Sequence, residues 1–249
     1  MILAYYPAKS IIHSIDPRAK LIFTFIFVFS VLFESSFLSY GILGIVILLP
    51  FFFTKLPPFK LIKGFTPFLV IFTLTVLFHF LLTPGEIIFK FGALTGTLEG
   101  VKNGTIFAIR LLLIIMGTMI LGLTTSPIDL SESLSGIFNR LKSNTAKEIP
   151  MIMILVLRFI PFLIKEGRRI VMAQKARGSQ LRLGREFFTI LFPVFNSALK
   201  RADQLALALH ARAYEPGKIR TPFREYRFRV WDYLLLVYSI IPIIIVVVF

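Results

Sequence analysis

Two segments in the second half of the chain carry the residue types that could bind another protein. They read "MAQKARGSQ" (Met172–Gln180) and "LALHARAYEP" (Leu207–Pro216), and each sets one arginine among small residues. An arginine guanidinium presents a planar set of donors to a carboxylate or to backbone carbonyls. Alanine and glycine leave the neighbouring backbone accessible, so a helix bearing them can enter a groove on a partner. The central residues of the two segments are Ala176, Arg177 and Gly178, and Ala211, Arg212 and Ala213.

The spacing within these segments predicts that each arginine shares a helix face with small residues. Positions 173, 176 and 177 are related as i, i+3 and i+4, and positions 208, 211 and 212 repeat the pattern. Two chance Ala-Arg pairs on basic amphipathic helices would give the same spacing. Spacing alone therefore leaves both interpretations open.

Residue patterns that support catalysis are missing from the sequence. The three histidines, His13, His79 and His210, do not have the spacing of a metal site, and the chain has no cysteine. The one Gly-Lys pair, Gly217-Lys218, lacks the preceding glycine of a phosphate-binding loop, and no GxSxG motif occurs. We therefore expect a non-enzymatic chain with no catalytic residue, no metal site and no cofactor of its own.

The composition predicts an integral membrane protein. Hydrophobic residues make up 56% of the chain and include 28 Phe, whereas a soluble domain has about 45–50% apolar residues. The excess lies in long runs, and a membrane helix needs about 20 such residues. Five spans are predicted: Leu21–Phe33, Phe37–Phe53, Phe65–Leu82, Ile106–Leu123 and Tyr233–Phe249.

The positive charge is concentrated in one block between membrane segments. The net charge is +15, and 19 Lys/Arg stand against 6 Asp/Glu between Arg140 and Arg229. Cytoplasmic loops of membrane proteins collect Lys and Arg, so this block and the N-terminus are predicted to be cytoplasmic and the C-terminus external. Leu, Ile and Phe at helical spacing in the same block favour this interpretation over nucleic-acid binding.

The basic block is predicted to form a platform of long amphipathic helices. Its opening, "TTSPIDLSESL", has Ser126 as an N-cap, Pro127 at the first helical position and Asp129 in the first turn. The apolar run Met151–Ile164 carries Arg158 and Pro161, and it is too short and polar for an ordinary span, so we expect a kinked helix at the membrane surface. A third helix is expected over about Glu186–Ala213.

The predicted fold is thus all-α: a polytopic membrane protein with about five transmembrane helices and a cytoplasmic platform. Residues 1–125 would hold four spans, 126–229 the platform and 230–249 the last span. Four glycines recur every fourth residue before the fourth span: Gly92, Gly96, Gly100 and Gly104. They would form either one close-packing helix face or a flexible loop.

The order of these segments resembles the transmembrane T component (EcfT/CbiQ-like) of energy-coupling factor (ECF) transporters. The resemblance spans essentially the whole chain. It is carried by "HSIDPRAK" (His13–Lys20), by "TTSPIDLSESL", and by "LRFIPFLIKEGRRIVMAQKARG", which leads into the first arginine segment.

This resemblance implies partners and roles. In that family, the T component of the cell membrane pairs with two cytoplasmic ATPases and with a membrane-embedded S component that captures a vitamin or a metal ion. It implies that Arg177 engages one ATPase and Arg212 the other, and that ATP is bound by those partners. The second segment departs from the family pattern because Ala213 stands where glycine is common.

The N-terminal signature Asp16, Pro17 and Arg18 has a structural interpretation that we prefer to a binding role. Asp16 can cap the first span and Pro17 can occupy its first turn, while Arg18 and Lys20 would anchor the helix at the cytoplasmic interface.

Two other functions are compatible with parts of the sequence. The chain could be the permease of a conventional ABC importer, although such a subunit usually has one coupling helix and this chain has two arginine segments. It could also be a basic membrane scaffold that binds anionic lipid, in which case affinity would follow total charge.

Overall fold

The computed structural model describes residues 5–8, 10–34, 36–54, 58–91, 94–138, 144–178, 185–216, 218 and 228–248. Helices dominate these residues, as predicted, with one two-stranded hairpin among them. The elements are α1 (Ile11–Ser14), α2 (Pro17–Phe33), α3 (Phe37–Phe53), α4 (Pro58–Leu82), β1 (Ile87–Phe91), β2 (Leu94–Thr97), α5 (Leu98–Thr124), α6 (Pro127–Phe138), α7 (Asn144–Ala176), α8 (Arg185–Ala211), α9 (Val230–Tyr238) and α10 (Ile240–Val248).

The chain divides into two compact units. The first comprises residues 1–126 and 226–249, and the second comprises residues 127–225. The first unit therefore contains the apolar helices from both ends of the sequence, and the second contains the basic amphipathic helices α6, α7 and α8.

The core of the first unit lies where α2, α3 and α5 pack together, with α9 and α10 against α2. Phe27 of α2 and Ile47 of α3 are completely buried. Gly117 of α5 faces the Phe27 ring, and a Cβ at this glycine would lie only 2.9 Å from that ring. The missing side chain lets α5 approach α2 closely, which is how a membrane helix gains van der Waals contact.

Three helical segments among the described residues are long and apolar enough to cross a membrane. They are Gly64–Leu82 within α4, the whole of α5, and Val230–Val248. Helices α2 and α3 have 17 residues each, or roughly 25 Å at 1.5 Å per residue, against a hydrocarbon core of about 30 Å. The predicted total of five spans therefore stays a prediction.

The last apolar segment is divided into α9 and α10 at Ser239. Pro242 explains the division because it lacks an N–H, and its ring clashes with the carbonyl four residues earlier, at Tyr238. The helical segment begins at Val230, three residues before the predicted apolar run Tyr233–Phe249.

The described glycines of the series Gly92, Gly96, Gly100 and Gly104 form neither a single helix face nor a loop. Gly96 lies in β2, whereas Gly100 and Gly104 lie in α5, and Gly92 is outside the described residues. A Cβ at Gly104 would lie 3.0 Å from the Val76 Cα, so α5 touches the backbone of α4 there. The antiparallel β1–β2 hairpin was not predicted.

The second unit packs α6 on α7 and α7 on α8. Helix α6 begins at Pro127, where the sequence predicted a helix start. Helix α7 is 33 residues long and continues through Pro150 and Pro161, so the run Met151–Ile164 belongs to one long helix. Exposed apolar side chains recur every fourth residue along α7, at Ile152, Val156, Ile160 and Ile164.

Candidate functional site

The first arginine segment ends helix α7. The last helical residue is Ala176, and the Arg177 N–H still donates to the Ala173 and Gln174 carbonyls at 3.2 and 3.1 Å. Gly178 follows with φ of 84°, in the left-handed region, and its N–H donates to the Lys175 carbonyl at 3.0 Å. A glycine in this conformation is the common way for a helix to stop.

The second arginine segment ends helix α8 in the same way. The Ala213 N–H donates to the His210 carbonyl at 2.9 Å, and the Tyr214 N–H donates to the Leu209 carbonyl at 3.0 Å. These two bonds form a Schellman motif, in which the residue after the C-cap is left-handed. That residue is Ala213, with φ of 53°, and no other non-glycine residue of the described chain has a positive φ.

These geometries correct the prediction that each arginine lies on a continuous helix face. Arg177 and Arg212 each occupy the C-cap, one residue beyond the last helical residue. The glycine of the first segment serves a left-handed position, and Ala213 occupies the equivalent position at a steric cost of about 1–2 kcal/mol. In each segment, a small residue, the arginine and a left-handed residue follow one another. Together they end the helix and leave the arginine exposed at that end.

Both arginines and their alanine neighbours are exposed. This holds for Arg177 with Ala173 and Ala176, and for Arg212 with Ala208 and Ala211. Within the described part of the chain, the one ion pair is Lys218–Glu215, so neither arginine is neutralised by a carboxylate there. A cation is favourable beside the partial negative charge of a helix C-terminus. The exposed guanidinium can therefore bind a group on another molecule.

The two arginine segments lie at opposite ends of an antiparallel helix pair. The Tyr214 hydroxyl donates to the Glu148 carboxylate near the start of α7. The Arg201 Cζ lies 4.7 Å from the centre of the Phe162 ring, further along α7. In this register Arg212 lies beside the first turns of α7, whereas Arg177 follows its last residue. At 1.5 Å per residue, the two arginines are separated by roughly 40 Å.

The N-terminal signature joins the first apolar helix to the last. Asp16 is the N-cap of α2, and its carboxylate accepts the Arg18 N–H at 2.9 Å, while Pro17 is the first helical residue. The Asp16 N–H donates to Asp232 Oδ1 at 2.7 Å, and the Arg229 N–H donates to Asp232 Oδ2 at 2.5 Å. Asp16 and Asp232 are both buried. The signature therefore sits in a buried hydrogen-bond network rather than on a binding surface.

Lys20 differs from its predicted role as an interfacial anchor. It is 3% exposed, and its Nζ donates to the Thr124 carbonyl at 3.3 Å and to Thr125 Oγ1 at 3.2 Å. The lysine thus satisfies a carbonyl at the C-terminal end of α5, where a cation is favoured.

Two charged residues of the first unit, Asp232 and Arg110, have structural roles that were not predicted from the sequence. Arg110 of α5 donates from Nη2 to the Glu34 carbonyl and to the Tyr40 hydroxyl, both at 2.7 Å. It thereby binds the connection between α2 and α3. The available signal was a charged residue inside an apolar run, which is costly in a membrane unless it is paired.

The described residues contain no group of three or more His, Cys, Asp or Glu side chains that could hold a metal ion. His79, the histidine inside a predicted span, forms a hydrogen bond from Nδ1 to the Thr75 carbonyl at 2.9 Å, and its ring lies 4.6 Å from Phe107. Both contacts are to neighbouring helical residues of the same unit.

Comparison with known proteins gives one consistent family. Residues 8–223 match the family of the cobalt transport protein CbiQ. Proteins described as energy-coupling factor transporter transmembrane protein EcfT are similar over most of their length. The chain is 37% identical to that of Acidaminococcus fermentans over 229 residues, which cover 89% of this chain and 85% of the relative. It is 36% identical to that of Staphylococcus aureus over 251 residues, covering 97% and 93%.

The Bacillus subtilis EcfT protein is likewise 36% identical over 230 residues, covering 89% of this chain and 87% of the relative. These matches confirm the resemblance predicted from the arginine segments and the N-terminal signature. The apolar helices of the first unit agree with the membrane location of such proteins. The chain belongs to the CbiQ/EcfT family of transmembrane subunits of energy-coupling factor transporters.

Proposed function

We propose that this chain transmits the closure of two cytoplasmic ATPase subunits to a membrane-embedded S component, which imports a vitamin, another micronutrient or a metal ion. The observation that carries the proposal is the pair of exposed arginine helix ends, roughly 40 Å apart on one antiparallel helix pair. One chain with two exposed arginine ends has a place for two partners.

Each arginine end has the chemistry of a helix that enters a partner's groove. The flanking alanines keep the helix narrow, and the guanidinium beyond them can donate to a carboxylate or to carbonyl groups at the bottom of the groove. Arg177 would engage one ATPase and Arg212 the other. Because α7 and α8 are long and pack on each other, a displacement at either end moves the whole second unit.

The S component would lie against the apolar faces of the platform. Exposed Ile152, Val156, Ile160 and Ile164 form such a face on α7, and Phe188, Leu191, Phe192 and Phe195 form another on α8. Contiguous exposed apolar side chains mark protein or membrane contact. The N-terminus and the platform would be cytoplasmic, following the Lys and Arg distribution. ATP would be bound and hydrolysed by the partners, and this chain would act without catalysis.

The proposal is tested by charge reversal at the two helix ends. Arg177→Glu and Arg212→Glu are each expected to lower the ATPase that co-purifies with the chain and to lower transport, and the double change should be worse than either. The matched controls are Arg169→Glu on α7 and Lys200→Glu on α8, because both residues are exposed and lie away from the helix ends.

The same experiment separates the alternatives. Equal losses at the helix ends and at the control positions would show that total charge matters, as expected for a scaffold on anionic lipid, and would reject the proposal. Loss from Arg177→Glu or Arg212→Glu alone, with the other variant unaffected, would favour a permease with one coupling helix.

A further inference from the structure

A groove runs between α7 and α8 at the Arg212 end of the second unit. Its volume is about 410 Å³, and three arginines line it: Arg158 of α7, Arg201 of α8, and Arg212. Its apolar part includes Phe159 and Phe162 of α7. The groove therefore combines cationic side chains with an aromatic floor.

The cations of this groove have no anionic counterpart within it. None of the lining residues is an aspartate or a glutamate, and the three arginines form no ion pair within the described part of the chain. All three are exposed, and Arg201 lies over the Phe162 ring at 4.7 Å. Clefts lined by one sign of charge concentrate ligands of the other sign.

The spacing of the arginines indicates an extended ligand. Arg201 and Arg212 lie eleven positions apart near the end of α8, which is about three helical turns or roughly 16 Å. Arg158 faces them from α7, near Gln204 in the antiparallel register, and Gln204 also lines the groove. A single phosphate or lipid headgroup is too small to reach both ends. A polypeptide segment with two or more carboxylates and an apolar side chain between them matches the length and the floor.

We infer that this groove binds an acidic segment of the ATPase that docks at the Arg212 end, so that Arg158 and Arg201 determine which ATPase binds there. The inference rests on the proposed function of Arg212. It also makes the two ends unequal, because Arg177 follows Phe162 by 15 positions, or roughly 22 Å along α7, and does not line the groove.

The test uses the full chain co-expressed with its two ATPase subunits. In an Arg177→Glu background, the ATPase that remains bound is the one at the Arg212 end. There, the double change Arg158→Gln and Arg201→Gln should weaken ATPase binding at least about tenfold, or about 1.4 kcal/mol, because it removes two charged hydrogen-bond donors from the groove. Binding should also become less sensitive to ionic strength. In an Arg212→Glu background, the same double change should leave the remaining ATPase unaffected.

The matched control is Arg168→Gln with Arg169→Gln, an equal charge change at exposed positions of α7 outside the groove. If the doubly changed chain does not purify with a normal unfolding midpoint, the single variants replace it and each should lose part of the binding. ATPase binding equal to that of the control would overturn the inference. Loss of bound phosphatidylglycerol from nanodiscs, with ATPase binding unchanged, would also overturn it and identify a lipid groove.

The effect of Arg212→Glu on ATPase binding distinguishes failure of the groove inference from failure of the proposed function. If Arg212→Glu lowers ATPase binding but the groove variants do not, only the groove inference fails. If Arg212→Glu leaves ATPase binding unchanged, the proposed function fails first.

Discussion

In the first unit Asp16, Lys20 and Asp232 are buried and hydrogen-bonded, whereas in the second unit Arg177 and Arg212 are exposed and unpaired with any carboxylate of the described chain. Burying a charged group is costly unless the group forms hydrogen bonds within the fold. An exposed charge contributes little to stability. The comparison indicates that charge in the first unit stabilises the fold, and that charge in the second unit is available to partners.

The largest expected effect is at Asp232. Changing Asp232 to Ala removes the acceptor of the Asp16 and Arg229 N–H groups, and it leaves the buried Asp16 N–H unpaired. The loss should be about 3 kcal/mol or more, because hydrogen bonds to charged groups are worth about 1.5–3 kcal/mol each. Thermal unfolding in detergent should show a much lower midpoint. The control is Asp203→Ala, a change at an exposed carboxylate on α8. If it lowers the unfolding midpoint as much as Asp232→Ala does, the comparison is contradicted.

A smaller effect is expected at Lys20. Lys20→Met keeps the apolar stem but removes the donor to Thr124 and Thr125 at the end of α5, so the free energy of unfolding should fall by about 2 kcal/mol. The control is Lys165→Met, an exposed lysine on α7. The unfolding midpoint measures both variants. If they behave alike, the buried lysine does not stabilise the first unit.

Substitutions at the left-handed residue of each helix end in the second unit should change the stability of that helix end by about 1 kcal/mol. Ala213→Gly relieves the left-handed alanine and should stabilise the end of α8, whereas Gly178→Ala should destabilise the end of α7 by a similar amount. Amide hydrogen exchange in the last turn of each helix measures the change. A destabilising Ala213→Gly would show that this backbone conformation is not the one adopted in solution.

The smallest effect concerns pH and His13, which precedes α2. Burial lowers the pKa of His13 below its ordinary value of 6.5, the hydrogen bond from its ring to the Tyr6 carbonyl opposes this shift, and the nearby Lys20 charge adds to it. The unfolded chain therefore binds a proton more readily than the folded chain. The stabilisation is complete above pH 6.5 and is lost as the pH falls through the folded pKa.

We expect the unfolding midpoint to fall between about pH 7 and about pH 5, and His13→Gln to reduce that slope. A slope that His13→Gln leaves unchanged would assign the pH dependence to other groups.

Local patterns were sufficient to predict most helices and the positions of the arginine segments. Apolar runs identified the helices of the first unit, and Ser126–Pro127 located the start of α6. Asp16 before Pro17 was sufficient to indicate a capped helix start. Each of these signals lies within a few neighbouring residues, where side-chain and backbone preferences act directly.

The remainder depended on contacts between distant parts of the chain. Asp16 and Asp232 are separated by 216 positions, and no local pattern shows that one accepts the other's N–H. Lys20 reaches Thr124 across 104 positions, so its burial was equally hidden. The end of α7 at Arg177 could have been predicted from Gly178, since glycine is typical after a helix C-cap. The end of α8 at Arg212 could not, because Ala213 carries no such signal.

The central claim is that the two arginine ends contact two separate ATPase subunits. The chain has no cysteine, so single cysteines at Ala176 and Ala211, both exposed beside the arginines, give an unambiguous cross-linking test in the assembled complex. Each position is expected to cross-link to an ATPase subunit, and a chain with both cysteines is expected to form a species that contains two ATPase subunits. Failure of both positions to reach an ATPase, or a doubly substituted chain that never captures more than one, would contradict it.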